Sequence, residues 1–204
     1  MKTIIFDFDG TIADSFSLVL EIAHDLTKHP RLLDKKEIHR LKDLQLIDVA
    51  KELNIPKYKW PYLVFKGRKL MLKRIDEIKP FNGIQDLFQE IKNKDYQIYI
   101  MSSNSEKNID MFLRKYNLKK YINKTYGSVG ILNKARNLNK IISRNNLDRS
   151  KVYYIGDEPR DIEASKKVNI RIISVSWGFN SKEMLKAHSP DYIVNKPQEI
   201  LTII

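Results

Sequence analysis

Residues 4–15 read IIFDFDGTIADS, an apolar run that two aspartates interrupt, one residue apart. Residues i and i+2 of a strand point to the same face, so Asp7 and Asp9 would share a face if a strand ran through both. Gly10 permits a bend, and we expect the strand to end here. Two buried carboxylates without a counter-charge are costly. They need a cation, and Mg²⁺ prefers such oxygen ligands.

Other apolar runs predict the sheet to which this strand belongs. They are rich in β-branched and aromatic residues, as are strands buried on both faces of a parallel sheet. The strong runs are residues 2–8, 96–102, 151–156 and 170–176, and the weaker ones are 121–127 and 191–194. Helical patterns cover residues 83–94, 105–116, 134–146, 160–168 and about 181–187. This alternation predicts an α/β fold, a doubly wound parallel (Rossmann-like) sheet.

Residues 15–79 break the alternation, since all their patterns are helical. We therefore expect an α/β core formed by residues 1–14 and 80–204, with an inserted helical cap over residues 15–79. The insertion holds 15 Lys and Arg against 9 Asp and Glu, which is half of the net charge of +12. Such a bias would suit a lid over an anionic substrate, and an ordinary solvated surface would also tolerate it.

The composition excludes several classes of protein. A chain of 204 residues with 42% hydrophobic and 30% charged residues is typical of a globular domain. It has no Cys, which excludes disulfides, thiol nucleophiles and Cys-ligated zinc. No apolar run approaches the roughly 20 residues of a membrane span, and Asp7 and Asp9 interrupt the one place where a signal peptide could lie. We expect a cytoplasmic protein without a membrane partner.

A second acidic cluster follows the strand predicted at residues 151–156, in the stretch YIGDEPRDIEAS at 154–165. Ligands of doubly wound sheets bind outside the carboxyl ends of the strands. Asp157 could thus complete a metal site with Asp7 and Asp9. A lone Asp157 is more often a turn residue, and Asp161 could simply be a charge at a helix N-terminus. Two acidic strand ends in one chain favour the metal site.

Polar residues also follow the strand at 96–102. Ser102 and Ser103 lie at the strand-to-helix turn in IMSSNS, where hydroxyl and N–H groups can hold phosphate oxygens, although such residues also serve as turns and caps. Lys134 is the first residue of a predicted helix and follows a loop.

In the insertion, cationic side chains could contact an anion, but a solvated helix face is the commoner role. These side chains are Lys66, Arg68, Lys69 and Arg74.

Taken together, these motifs resemble those of the haloacid dehalogenase superfamily. The segment DFDGT at residues 7–11 matches that family's DxDGT motif, and GDEPRD at 156–161 matches its GDxxxD motif. Ser102 matches the Ser or Thr of the second motif, and Lys134 the lysine of the third, with Lys124 as a rival. The motifs occur in the family's order over essentially the whole chain. With its small helical cap, the layout is most similar to the phosphoglycolate phosphatase-like branch.

The resemblance implies a role for each matched residue. Asp7 would be the nucleophile that forms an aspartyl-phosphate, and Asp9 the general acid and then the base. Ser102 would bind a phosphoryl oxygen and Lys134 would neutralise charge. The phosphate would lie against Gly10, Thr11, Ser103 and Asn104. Mg²⁺ would be held by Asp7, the backbone carbonyl of Asp9 and Asp157, with Asp161 supporting it or Glu158 in its place.

These roles predict an enzyme, a Mg²⁺-dependent phosphatase acting on a small phosphorylated metabolite. Asp9 argues against the dehalogenase branch, and the P-type ATPases carry Thr at that place. A phosphomutase of the same family is an alternative, whereas phosphonate hydrolysis would need a cap lysine that the sequence does not single out. From another class, the net charge allows a non-catalytic phosphate- or nucleic-acid-binding protein. The complete carboxylate set argues against that reading, and the oligomeric state is left open.

Overall fold

The structure, a computed structural model, describes residues 1–27, 34–52, 55–130 and 133–204. In chain order the strands are β1 (Thr3–Phe6), β2 (Ala13–Asp14), β3 (Lys79–Pro80), β4 (Gln97–Met101), β5 (Lys124–Tyr126), β6 (Val152–Gly156), β7 (Arg171–Val175) and β8 (Tyr192–Val194). Six of them form one parallel sheet in the order β5-β4-β1-β6-β7-β8. The first strand of the chain is therefore central, between β4 and β6.

Helices cover both faces of this sheet. In the core they are α5 (Ile84–Asn93), α6 (Glu106–Lys115), α7 (Lys134–Arg144), α8 (Pro159–Lys167) and α9 (Lys182–Ala187). Successive side chains of β1 point to opposite faces, as the period of a strand requires. Ile4 and Phe6 pack with α5 and α6, and the Phe6 and Phe88 rings lie 5.1 Å apart. Ile5 packs with α7 and α8 on the other face. The three layers confirm the predicted doubly wound fold.

A helical insertion leaves the core after β2 and returns through β3. Its helices within the described residues are α1 (Phe16–Thr27), α2 (Lys35–Leu41), α3 (Leu46–Glu52) and α4 (Trp60–Lys73). β2 and β3 pair antiparallel, with Ala13 opposite Pro80 and Asp14 opposite Lys79, so the two connections form one short ribbon. The inserted helical cap is confirmed. Its boundaries at residues 15 and 79 stay a prediction, and residues 28–33 and 53–54 of it lie outside the described part.

In the part of the insertion between residues 34 and 52, where the sequence predicts helical structure, the chain forms two helices, α2 and α3. The segment between these two helices contacts the core. The buried side chain of Asn180, in the loop after β7, donates from Nδ2 to the carbonyls of Lys42 and Leu44, each over 2.9 Å. Those carbonyls bond to the core and not to the next turn of a helix. No helix in the described ranges is long and apolar enough to cross a bilayer.

Candidate active site

Asp7 lies directly after β1, at the carboxyl end of the central strand. Its N–H donates to the carbonyl of Ile155 over 2.8 Å, so the pairing with β6 continues through this residue. The residue is 4% exposed, and the N–H of Phe8 donates to its Oδ1 over 2.8 Å. Phe8 itself packs into the core against the Phe112 ring, 5.0 Å away. Along this segment the apolar side chain of Phe8 therefore packs into the core, whereas the acidic side chain of Asp7 lies in the site.

The chain turns sharply after Phe8, whose carbonyl accepts hydrogen bonds from the N–H groups of residues 11–13. Gly10 has φ +78°, and a Cβ atom there would lie 2.1 Å from Oδ2 of Asp157. A left-handed conformation with a neighbour this close admits only glycine. The expected bend at Gly10 is confirmed, and it brings the loop after β1 against the loop after β6.

Asp9 is held by two donors on this edge of the sheet. The hydroxyl of Ser15 donates to its Oδ1 over 2.8 Å, and Nδ2 of Asn104 donates to its Oδ2 over 3.2 Å. Burial raises the pKa of Asp9 to about 6, and the charge of Asp7 adds to the effect, although both hydrogen bonds oppose it. A carboxyl group with such a pKa can both donate and accept a proton near neutral pH.

Asp157 follows β6 and is fully buried. Its Oδ1 accepts a hydrogen bond from the hydroxyl of Thr11 over 2.8 Å, and its Oδ2 accepts one from the N–H of Phe179 over 2.7 Å. Both donors are neutral. Burial raises its pKa well above the usual range, and the charges of Glu158, Asp7 and Asp161 raise it further. The ionised carboxylate therefore lacks a compensating charge among its hydrogen-bond partners.

Lys134, the first residue of α7, joins the two acidic loops. Its Nζ lies 2.6 Å from Oδ2 of Asp7 and also bonds to Oδ1 of Asp161. Burial lowers the pKa of Lys134, but the carboxylates of Asp161 and Asp7 outweigh it and hold that pKa above its usual range. The ammonium group stays charged beside Asp7.

The start of α8 positions Asp161. Oδ2 of this side chain accepts the N–H of Glu158 over 3.1 Å, which is one half of a capping box at the helix N-terminus. Burial raises the pKa of Asp161 to about 6, with Asp7 and Glu158 adding to the effect and Lys134 opposing it. Asp161 therefore lies at a helix N-terminus, as one of the sequence-based alternatives predicted, and it also bonds to Lys134.

The charges of the site leave room for a divalent cation. When all four are ionised, Asp7, Asp157, Glu158 and Asp161 carry four negative charges, against two positive charges on Lys134 and Arg160, and Arg160 is paired with Glu158. Ligand oxygens of Asp7, Glu158 and Asp161 lie within 4.8 Å of one another. An all-oxygen donor set with two uncompensated negative charges fits Mg²⁺.

Comparison with known proteins identifies the family to which this chain belongs. A family model described as haloacid dehalogenase-like hydrolase matches residues 4–175, which include every site residue predicted from the sequence. The chain belongs to the haloacid dehalogenase-like hydrolases. The predicted superfamily and the predicted class of enzyme, a hydrolase of that superfamily, are confirmed.

Relatives of this hydrolase include two with stated activities. It is 29% identical over 208 residues to a phosphoglycolate phosphatase of Synechococcus elongatus, covering 100% of this chain and 97% of that protein. It is 24% identical over 211 residues to the pyrophosphatase PpaX of Listeria innocua, covering 100% and 96%. The first of these supports the predicted phosphoglycolate phosphatase-like branch.

Solved structures share the fold of this hydrolase. The haloacid dehalogenase-like protein SP0104 of Streptococcus pneumoniae has a TM-score of 0.81 at 24% identity and covers 100% of this chain and 98% of that one. A predicted phosphatase of Clostridium acetobutylicum has a TM-score of 0.83 at 23% identity, with 99% and 97% covered. At these identities the likeness shows the fold alone.

Other residues predicted for the site of this haloacid dehalogenase-like hydrolase lie in the loop after β4. Ser102 is 1% exposed, and its Oγ accepts the N–H of Asn104 over 3.0 Å, so its hydroxyl shapes the turn. Ser103 and Asn104 line a cavity that also contains Asp7 and Asp9. Thr11 bonds to Asp157, as described above. The roles predicted for these residues in binding phosphate stay predictions.

The structure also distinguishes the candidate cations. Lys124, the rival of Lys134, is exposed and bonds to Asn145 away from the site. On α4, Lys66 and Lys69 are exposed and lie over the rings of Tyr62 and Phe65. Arg74 pairs with Glu21 and Glu77. Of the four cap candidates, only Arg68 lines the cavity.

Three residues of the site were not predicted from the sequence. Ser15 bonds to Asp9, Arg160 pairs with Glu158, and Phe179 donates its N–H to Asp157. Arg160 lies inside the GDEPRD motif, and the opposite charges of Arg160 and Glu158 could have predicted that the two residues form an ion pair. Phe179 follows Gly178, where a Cβ atom would lie 2.3 Å from Cβ of Asp157. Nothing local in the sequence links residue 179 to residue 157.

Proposed function

We propose that the protein is a Mg²⁺-dependent phosphatase that hydrolyses a small phosphomonoester through an aspartyl-phosphate on Asp7. The observation that carries this proposal is the pair formed by Asp7 and Asp9 at the end of the central strand, with Lys134 only 2.6 Å from Asp7. The family and the phosphatase and pyrophosphatase relatives support it.

In the first half of the reaction, a carboxylate oxygen of Asp7 attacks phosphorus and the bond to the alcohol oxygen breaks. The N–H of Phe8 and Nζ of Lys134 hold the two oxygens of Asp7, so the nucleophile does not need to be oriented at the moment of attack. Asp9 gives its proton to the leaving alcohol oxygen. Its pKa of about 6 leaves a useful protonated fraction near neutral pH.

In the second half, Asp9 accepts a proton from a water molecule that attacks the aspartyl-phosphate. The bond between Asp7 and phosphorus breaks, inorganic phosphate forms, and both aspartates return to their starting states. Ser15 and Asn104 keep the Asp9 carboxyl group in one place for both proton transfers. Lys134 offsets the negative charge that develops on Asp7 and the transferring group.

Mg²⁺ would be held by Asp7, the backbone carbonyl of Asp9 and Asp157, with Asp161 or Glu158 supporting it, and would neutralise charge on the transferring phosphoryl group. Asp157 is the strongest candidate among the acidic loop residues after β6, because both its hydrogen-bond donors are neutral. Glu158 is already paired with the charged Arg160, and Asp161 with the charged Lys134. The substrate is a small phosphorylated metabolite, and a cytoplasmic location stays part of the proposal.

The test is release of inorganic phosphate from a panel of phosphomonoesters, with Mg²⁺ and with EDTA. We expect turnover that requires Mg²⁺ and is lost in Asp7→Asn. Asp86→Asn is the matched control, since Asp86 is exposed on α5 and away from the site. No turnover of any ester would refute the proposal. A phosphomutase would instead return the phosphoryl group to a sugar phosphate, and product analysis distinguishes that alternative.

A further inference from the structure

A cavity of about 280 Å³ extends from Asp7 and Asp9 into the cap. One wall is a single face of α4, whose lining residues recur at helical spacing. They are Trp60, Leu63, Val64, Gly67, Arg68 and Met71. The opposite wall is a face of α1, lined by Val19, Ile22, Ala23 and Leu26. Most of this surface is apolar.

The order of residues along α4 gives the cavity a direction. Met71 is at the catalytic end, because its Sδ lies 2.8 Å from Nδ2 of Asn104, the same nitrogen that bonds to Asp9. Trp60 is eleven residues away, which is about 16 Å along the helix axis. Arg68 lies about one turn from Met71. A leaving group released beside Asp9 therefore has space along α4 beyond Arg68.

Two buried donors in this cavity lack partners. Nε of Arg68 and Nε1 of Trp60 have no hydrogen-bond partner in the part of the chain that the structure describes. No ion pair among those residues includes Arg68. Burial lowers the pKa of Arg68, as expected for a guanidinium group without a counter-charge. Unpaired buried donors are costly, and a ligand that pairs with them recovers that cost.

The walls and the donors together define a chemical class of substrate. Resting on the proposed function, we propose that this cavity is the leaving-group subsite, and that it takes phosphomonoesters whose alcohol combines an apolar body of at least aryl size with an anionic group that pairs with Arg68. An apolar cavity of about 150 Å³ already admits a benzene ring. A guanidinium group matches a carboxylate or a second phosphate by paired hydrogen bonds.

Gly67 is part of what keeps the subsite open. A Cβ atom at this position would meet only Cγ2 of Ile22, at 3.8 Å, which is ordinary van der Waals contact. A larger side chain therefore fits on α4 and would occupy space between α4 and α1. This gives a variant that fills the cavity without changing Asp7, Asp9 or Lys134.

The test compares alkyl phosphates whose leaving alcohols have similar acidity: ethyl phosphate, benzyl phosphate and 4-(carboxymethyl)benzyl phosphate. With Mg²⁺, we expect kcat/KM to rise in that order. Arg68→Met should remove about a tenfold preference for the carboxylated ester over benzyl phosphate, the range of one charged hydrogen bond. Its ratio of benzyl to ethyl phosphate should not change. Gly67→Leu should lower kcat/KM for both benzyl esters relative to ethyl phosphate.

Lys73→Met is the control for loss of charge on α4, since Lys73 is exposed in its last turn. Equal kcat/KM for the three esters in the wild type would refute the inference and leave the proposed function intact. So would an Arg68→Met variant that slows all three equally. Absence of turnover of any ester, 4-nitrophenyl phosphate included, would instead refute the proposed function.

A binding measurement is independent of turnover. The wild-type protein with Mg²⁺ is titrated with 4-carboxybenzylphosphonate and with ethylphosphonate while tryptophan fluorescence is recorded. We expect the first ligand to bind at least tenfold more tightly and to change the emission of Trp60, a change that Trp60→Phe abolishes. Equal affinities, or an identical signal in Trp60→Phe, would contradict the subsite.

Discussion

The hydroxyl of Thr11 donates a hydrogen bond to Oδ1 of Asp157 over 2.8 Å, across 146 positions of the chain. This bond joins the loop after β1 to the loop after β6, and both residues are buried. Trp177 strengthens the same junction by donating from Nε1 to the carbonyl of Thr11 over 3.2 Å. The acidic end of the sheet is thus held together by side chains from the loops that follow β1, β6 and β7.

Thr11→Val should destabilise the protein by about 1–3 kcal/mol, because a buried carboxylate oxygen loses its donor while the shape of the side chain is kept. Thr11→Ser retains the hydroxyl and should cost much less. Urea unfolding followed by circular dichroism measures both. Equal losses in the two variants would show that the bond to Asp157 contributes little.

Gly10→Ala should cost about 2 kcal/mol or more, since the new Cβ would lie 2.1 Å from Oδ2 of Asp157 and the residue has φ +78°. Gly130→Ala is the matched control, because the nearest atom that its Cβ would meet is Nδ2 of Asn133, 4.0 Å away. Thermal unfolding of the two variants checks this. A destabilised Gly130→Ala with an unaffected Gly10→Ala would contradict the packing at the turn.

Asp9 should impose a pH dependence on the stability of the protein prepared with EDTA. Its folded pKa of about 6 lies above the unfolded value of 3.8, so the folded state binds this proton more tightly. Its contribution to stability is complete below pH 3.8 and is lost as the pH rises to about 6. The free energy of unfolding should fall over that window, by up to about 3 kcal/mol relative to Asp9→Asn.

Urea unfolding of wild type and Asp9→Asn at a series of pH values, all with EDTA, gives this difference directly. Groups that do not interact with Asp9 titrate equally in both proteins and cancel. A difference that stays constant from pH 4 to 7 would mean that Asp9 keeps an ordinary pKa in the folded protein.

Mg²⁺ should raise the melting temperature, and Asp157→Asn should require at least tenfold more Mg²⁺ for half of that effect. The reason is charge: among the described residues, the hydrogen-bond donors of Asp157 are the neutral groups of Thr11 and Phe179, whereas Glu158 is paired with Arg160. Glu158→Gln should therefore have a smaller effect. The reverse order would assign the ion to the cluster of Asp7, Glu158 and Asp161.

Much of the fold was predictable because its strands are locally encoded. The four strong apolar runs and the two weaker ones all contain strands of the main sheet, since strands buried on both faces need continuous apolar residues. Asp7 and Asp9 were predictable for the site, because the carboxyl ends of strands carry ligands in such sheets, whereas Lys134 was predicted only from the resemblance to the family. The contact between Lys134 and Asp161 was not predictable, since it depends on how α7 and α8 pack.

The cap was less predictable. Between α2 and α3 the chain bonds to Asn180 in a distant loop, and nothing local in the sequence indicates that contact. The helical periodicity of α4 could have distinguished Arg68 from Lys66 and Lys69, because it places them on different faces of the helix. Arg68 shares a face with Trp60, Val64 and Met71, whereas Lys66 and Lys69 lie on the exposed side.

The ribbon of β2 and β3 has a consequence for how such a protein can change. Paired antiparallel residues lie about 5 Å apart, so the inserted helices leave and rejoin the core at almost one point. Any segment whose two ends meet at that spacing could be exchanged there without moving a strand of the main sheet. The inserted helices, which line the cavity, can therefore vary without a change in the strands that position the catalytic residues.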